Sequence, residues 1–185
     1  MAQAATVAAG TDGPATVPVW DPLVRVFHWS LVAAYAVAWL SDPEHGVHHA
    51  AGYVVLALVG VRVIWGFVGS PHARFSDFVP SPKALLAYFQ ALRRGQAPRH
   101  LGHNPAGGAM IVAMLALLVA IGVTGWLQTT TTFWGVGWLE ETHEALAYAS
   151  LFLVALHLLG VLTSSFLHRE NLVRAMITGR KPAAL

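Results

Sequence analysis

Four long apolar segments constrain the fold of this chain more than any other feature of its sequence. Each is close to the roughly 20 residues that an α-helix needs to cross a hydrocarbon core about 30 Å thick. Arg25 is the only charged residue of the first segment, Arg62 the only one of the second, and the third has none. The segments span residues 22–40, 48–68, 105–127 and 142–168. The sequence therefore predicts an all-α membrane protein built as a four-transmembrane-helix bundle.

The composition agrees with a membrane protein and excludes several classes of function. Charged residues make up 11% of the 185 residues, against roughly 25% in soluble domains, and the mean hydropathy is +0.56. The chain has no cysteine, which excludes disulfides, thiolate zinc sites, cysteine-ligated iron–sulfur clusters and c-type haem attachment. Eleven Lys and Arg are too few for the basic surface of a nucleic-acid-binding protein, so nucleic acid is not an expected partner.

The distribution of Lys and Arg predicts the orientation of the bundle. Residues 41–47 and 128–141 contain neither, whereas the connector 69–104 and the C-terminal tail contain nearly all of the basic residues. The positive-inside rule assigns the connector and both termini to the cytoplasm. We therefore expect a multi-pass protein of the bacterial inner membrane.

Three further segments complete the expected organisation. Residues 1–18 are small and polar and are expected to form a flexible cytoplasmic tail, followed by a membrane domain at 19–170 and a C-terminal tail at 171–185. Residues 82–94 form an amphipathic pattern with a basic end. That pattern fits a helix on the inner leaflet and, equally, a helix packed against the bundle.

Histidines within the apolar segments are the main candidates for function, because ionisable residues are rare in membrane helices unless the bundle interior uses them. His143 and His157 lie fourteen residues apart in the fourth segment. This is close to four helical turns, so the two share a face and lie roughly 21 Å apart. His157 matches the depth of His28 in the first segment, and His143 matches that of His48 or His49. Facing imidazoles at two depths are what two bis-histidine haems require.

Helical geometry favours His48 over His49 as the histidine that is paired with His143. Arg62 follows His48 by fourteen residues on the same face and is expected to reach the propionates of the inner haem or the inner interface. Gly52, one turn after His48, leaves that face clear for a flat ring. His49 is turned about 100° away and is expected at the surface.

Two more residues are candidates near the inner cofactor. Arg25 precedes His28 by three residues and so lies on nearly the same face. His103, just before the third segment, is expected either to serve as a capping or interfacial residue or to lie beside an inner cofactor edge or a quinone.

The sequence around these histidines resembles the bacterial cytochrome b561 family, within the larger group that includes the cytochrome b subunit of nickel–iron hydrogenases. The resemblance covers about residues 18–180. It is carried by VWDPLVRVFHW, by HHAAGYVVLALVGVRVIWGFVG, by GHNPAGG and by THEALAYASLFLVALH. It implies a four-helix cytochrome with two haem b groups.

Carried onto this chain, the resemblance implies His28 with His157 for the cytoplasmic-side haem and His48 with His143 for the periplasmic-side haem. His49 departs from the pattern of many relatives and leaves an ambiguity of one residue. Hydrogenase-type subunits often have a further helix, so a dedicated hydrogenase partner is not expected.

A bis-histidine haem has no open position for substrate, which favours outer-sphere electron transfer. We expect electrons to pass between a periplasmic redox partner, such as a c-type cytochrome, and ubiquinone or menaquinone. One alternative is a superoxide oxidase that reduces ubiquinone, although the outer loops lack the Lys and Arg that would steer an anion. Another is a membrane anchor or transporter without haem. The lipid bilayer is an expected partner, and a homodimer is left open.

Overall fold

Four long helices form the body of the protein. The computed structural model describes residues 15–43 and 45–183, so residues 1–14 of the expected N-terminal tail lie outside the described residues. The long helices are α1 (Pro22–Leu40), α2 (Gly46–Val68), α5 (Pro105–Gln128) and α6 (Gly137–Leu167). All four are long and apolar enough to cross a membrane. Short elements lie between and beside them: α3 (Phe75–Phe78), α4 (Pro82–Arg93), α7 (Leu172–Thr178), β1 (Thr16–Pro18) and β2 (Arg180–Pro182).

Two of the long helices, α1 and α5, begin where local sequence signals place their starts. The Asp21 carboxylate accepts a hydrogen bond from the Val24 N–H at 2.8 Å, and the Asn104 side chain accepts one from the Gly107 N–H at 2.7 Å. A proline follows each cap, where its missing N–H costs no helical hydrogen bond. α6 begins at Gly137, five residues before the expected 142. Its first turns include Trp138 and Glu140. An acidic residue suits the N-terminus of a helix, but a prediction based on apolar residues alone does not include it.

The helices pack in the order α1–α2–α5–α6. The buried core lies where α2 meets α5 and contains Val55, Val59, Leu115 and Leu118. Large apolar side chains such as Ile64, Phe152 and Leu162 are exposed on the outside of the bundle. A hydrocarbon environment removes the cost of that exposure, in agreement with a membrane protein.

The chain termini meet at one end of the bundle. β1 pairs antiparallel with β2, with Val17 opposite Lys181, and Gly179 makes the left-handed turn into β2 at φ +79°. The Glu170 carboxylate is buried between Arg99 and Lys181 and forms an ion pair with each. Parts of both expected tails are therefore folded into what we call the terminal clamp, formed by β1, β2, Arg99 and Glu170. Because it joins residues far apart in the chain, no local pattern indicates it.

The amphipathic helix α4 combines features of both expected arrangements. Its Tyr88 is buried and α4 packs on α5, whereas Leu86 and Phe89 remain exposed. Burial raises the pKa of the Tyr88 phenol. Because α4 lies in the connector, at the same end as the terminal clamp, we call that end the basic end.

Candidate functional site

His48 and His143 face each other across the interior of the bundle, at the end opposite the basic end. Their ring centroids lie 6.3 Å apart and their planes are inclined at 77°. His48 is half-buried in the first turn of α2, whereas His49 is exposed. Of the two neighbouring histidines, His48 is thus the one that faces α6.

Hydrogen bonds to the Nδ1 atom orient both imidazole rings of this pair. The Nδ1–H of His48 donates to the carbonyl oxygen of Ala38 in α1 at 2.9 Å. The Nδ1 of His143 lies 3.0 Å from the hydroxyl oxygen of Thr124 in α5. That hydroxyl directs its single hydrogen to the carbonyls of its own helix at 2.9–3.0 Å, so it accepts from His143. With Nδ1 protonated on both rings, each Nε2 is left as a lone-pair donor for a metal.

The surroundings of His143 leave room for its ring. A Cβ built on Gly125 would lie 3.0 Å from the His143 Cε1, closer than side-chain contacts normally allow. Glycine at this position lets the imidazole lie against the backbone of α5. A Cβ built on Gly52, one turn beyond His48, would meet no atom within 4 Å.

The spacing of the pair fits two axial ligands of one metal. A metal–imidazole bond of about 2.0 Å and about 1.1 Å from nitrogen to ring centre place two such centroids about 6.2 Å apart. Within the described part of the chain, no three His, Cys, Asp or Glu side chains form a metal-ligand group. A bare ion needs more ligands than two. A haem would need only the pair that the chain offers, because its macrocycle would supply the remaining ligands.

His28 and His157 are the two histidines matched in depth nearer the basic end. His28 lies on α1 and His157 on α6, and both are half-buried. The Nδ1 of His28 is buried with no hydrogen-bond partner among the described residues. In contrast with His48 and His143, no hydrogen bond within the described residues therefore orients the His28 ring. The rings of His28 and Trp29 meet edge to face at 5.0 Å.

Arg62 is buried near the basic end, 3% exposed. Its Nη2 donates to the carbonyl oxygen of Ala73 at 3.0 Å, and its guanidinium lies 5.5 Å from the ring centre of Phe78. Its Nη1 has no hydrogen-bond partner among the described residues, and the same is true of the Nε of Arg25. Buried cationic donors without partners are suited to a carboxylate or a carbonyl oxygen.

His103 lies in the same region, packed between Trp20 at 4.5 Å and Phe78 at 5.0 Å between ring centres. Burial, reinforced by the positive charges of Arg62 and Lys181, lowers the pKa of His103 to about 3. The imidazole is therefore neutral at physiological pH, and its Nδ1 is buried without a partner. The helix cap is Asn104, so His103 does not serve as the cap.

Asp21 organises this end and is not among the residues singled out from the sequence. Besides capping α1, its carboxylate accepts hydrogen bonds from the Trp65 Nε1–H at 3.0 Å and from the Ser70 hydroxyl, which ties α1 to the end of α2. Burial alone would raise the pKa of Asp21, but these hydrogen bonds outweigh it and hold the pKa below its usual value. Asp21 also interacts electrostatically with Arg62.

The chain is similar in sequence to known proteins over most of its length. The sequence profile of the family described as prokaryotic cytochrome b561 matches residues 19–179. Two relatives are each named "Probable Ni/Fe-hydrogenase B-type cytochrome subunit". The one from Rhodobacter capsulatus is 22% identical over 90% of this chain and 81% of its own length. The one from Rhizobium leguminosarum bv. viciae is 22% identical over 90% of this chain and 89% of its own length. No solved structure matches the chain.

Proposed function

The chain belongs to the prokaryotic cytochrome b561 family, and we propose that it carries electrons through the membrane on two haem b groups, each held by two histidines. The family and the four apolar helices make it a multi-pass bacterial membrane protein of electron transport that binds haem b. The number of haems, their ligands and the electron partners are the parts we propose.

The observation that carries the proposal is the His48–His143 pair. Its rings are separated as two axial ligands of one iron would be, and both Nδ1 atoms are engaged in hydrogen bonds. We assign these two histidines to one haem and assign His28 and His157 to the other. The fourteen residues between His143 and His157 separate the two sites by roughly 21 Å along α6.

Each haem, held by two histidines, would supply a reversible one-electron change and would leave no position for substrate. The chain holds the ligands in place: the Ala38 carbonyl and the Thr124 hydroxyl keep both imidazoles in the tautomer that presents Nε2. Gly125 and Gly52 provide room beside the rings. The apolar core between α2 and α5 excludes water, so electron transfer would require little reorganisation of solvent.

Arg25, Arg62 and His103 serve the cofactors at the basic end in this proposal. The unpartnered nitrogens of Arg25 and Arg62 are the donors available for the propionates of the inner haem. The neutral His103, held between Trp20 and Phe78, would lie beside the inner haem edge or a quinone head group. These residues would hold a quinone from the bilayer close to the haem at this end.

The orientation and outer partner follow from charge. Basic connector residues and both described chain ends lie at one end of the bundle, which we propose is cytoplasmic. The opposite end, with the His48–His143 pair, then faces the periplasm. A soluble redox protein such as a c-type cytochrome would exchange electrons there.

A quinol-reduction experiment tests this function. We expect anaerobic addition of ubiquinol or menaquinol to the oxidised, purified protein to produce a reduced b-type haem spectrum. The reduced protein should then reduce a ferric c-type cytochrome. Arg62→Gln should impair reduction by quinol, whereas Arg93→Gln, which removes an exposed cation of α4, should leave it unchanged. A protein without a haem spectrum, or one that no quinol reduces, would refute the proposal.

The names of the relatives favour a second candidate partner, a nickel–iron hydrogenase that delivers electrons in place of the c-type cytochrome. Membranes that contain both this protein and such a hydrogenase separate the two. Haem reduction by hydrogen gas that disappears when the hydrogenase is omitted supports the second candidate. Oxidation of the quinol-reduced protein by a ferric c-type cytochrome, in membranes without the hydrogenase, supports the first.

A further inference from the structure

Tyr35 and Ser150 form a hydrogen bond inside the bundle between the two histidine pairs. The Tyr35 Oη and the Ser150 Oγ lie 2.6 Å apart, and Ser150 is only 4% exposed. Ser150 is seven residues from both His143 and His157, and Tyr35 is seven residues from His28. Seven residues are nearly two turns, about 10.5 Å along a helix. The bond thus lies midway in depth and on the faces that carry the histidines.

The direction of this hydrogen bond follows from its neighbours. The Ser150 hydroxyl donates its only hydrogen to the carbonyl oxygen of Ala147 at 2.6 Å. Tyr35 must therefore be the donor to Ser150. The result is a short chain of hydrogen bonds from α1 to the turn of α6 that follows His143, and it satisfies every hydroxyl hydrogen in it.

The bond connects helices that otherwise pack on different neighbours. α1 packs mainly on α2, and α6 packs mainly on α5. Yet His28 of α1 must face His157 of α6 for the second pair to hold one haem. The Tyr35 side chain spans this separation, and the rings of Trp39 and Tyr148 meet at 5.7 Å one turn nearer the end of α1.

We propose that the Tyr35–Ser150 hydrogen bond is the partition between the two haem pockets, which holds α1 against α6 and sets the path for electrons between the haems. This inference rests on the proposed function. Tyr35 and Ser150 are positioning residues: neither changes oxidation state, no proton is transferred, and the single electron that leaves one haem arrives at the other.

The experiment compares the holoprotein with Tyr35→Phe, Ser150→Ala and the double variant. Tyr53→Phe is the matched control, because the Tyr53 hydroxyl bonds to the Thr129 hydroxyl at 3.1 Å on an exposed surface. We expect each single variant to lower the folding equilibrium constant about threefold, as interhelical hydrogen bonds in membrane proteins do. Each single variant should also slow electron transfer between the haems after photoreduction. In the double variant, the changes in the folding equilibrium constant and in the transfer rate should be no larger than those of the more affected single variant.

The outcomes separate this inference from the function on which it rests. Inter-haem transfer at the natural rate in Tyr35→Phe, or effects of the two single variants that add in the double variant, would overturn the partition. Slower transfer in Tyr53→Phe as well would overturn it too, since the effect would not be specific to the bond. A preparation that binds fewer than two haems would instead overturn the proposed function.

Discussion

The hydrogen bond between Thr124 and His143 allows a quantitative prediction for one haem. In the natural protein the Nδ1–H of His143 donates to the Thr124 hydroxyl at 3.0 Å. This increases electron density at Nε2 and favours oxidised iron. Thr124→Val keeps the shape of the side chain but removes the acceptor. The midpoint potential of the haem that we assign to His48 and His143 should therefore rise.

The size of the shift follows from the strength of the bond. A neutral hydrogen bond contributes about 0.5–1.5 kcal/mol, and a tenfold change in a one-electron equilibrium is about 59 mV, so complete loss corresponds to roughly 20–65 mV. The Ile121 carbonyl also hydrogen-bonds His143 and replaces part of the lost interaction. We therefore expect a rise in the lower half of that range, about 20–40 mV.

An anaerobic redox titration, followed by the absorbance of the reduced haems, measures this shift. Thr124→Ser is the control, because it keeps the hydroxyl and should leave both midpoint potentials at their natural values. The haem assigned to His28 and His157 should not respond to either substitution. Unchanged potentials in Thr124→Val, or an equal shift in Thr124→Ser, would refute the reasoning.

Three other predictions concern the basic end and the space beside His143. The pKa of His103 lies below its unfolded value, so its stabilising contribution is present above about pH 6.5 and is lost as the pH falls towards 3. The free energy of unfolding should fall by about 2 kcal/mol between pH 7 and pH 5, and this fall should be absent in His103→Gln. An equal fall in that variant would contradict the prediction. Gly125→Ala should reduce haem content, whereas Gly60→Ala, whose Cβ would meet no atom within 4 Å, should not; equal haem content would count against the fit. Glu170→Gln should destabilise the terminal clamp by about 3–5 kcal/mol in thermal unfolding, because it leaves two cations without their carboxylate. Exposed Glu141→Gln should cost less than about 0.5 kcal/mol, and a similar cost for both would refute a stabilising role for the clamp.

The parts of the fold that depend on local properties of the chain could be predicted from the sequence. Hydropathy alone located the four spans, and the caps at Asp21 and Asn104 lie where the proline that follows each one indicates. The shared face of His143 and His157 follows from the helical repeat, which does not depend on tertiary packing. Matched depth on two spans left His48 and His49 open, and the helical face that His48 shares with Arg62 favoured His48.

The remaining features depend on how the helices pack, which no spacing rule describes. Thr124 reaches His143 only because α5 lies beside α6, and Tyr35 reaches Ser150 across 115 positions of sequence. The pairing of Val17 with Lys181 joins segments that individually resemble polar tails. The burial of His103 likewise comes from Trp20 and Phe78, which lie far from it in the sequence.

The haem content of purified histidine variants tests the central claim most directly. Two haems per chain are expected in the natural protein, from the pyridine haemochrome spectrum and protein concentration. His157→Ala and His48→Ala should each lose one haem, whereas His49→Ala, which changes the exposed neighbour of His48, should keep both. One haem in the natural protein, two haems in His157→Ala, or a loss in His49→Ala in place of His48→Ala would contradict the assignment.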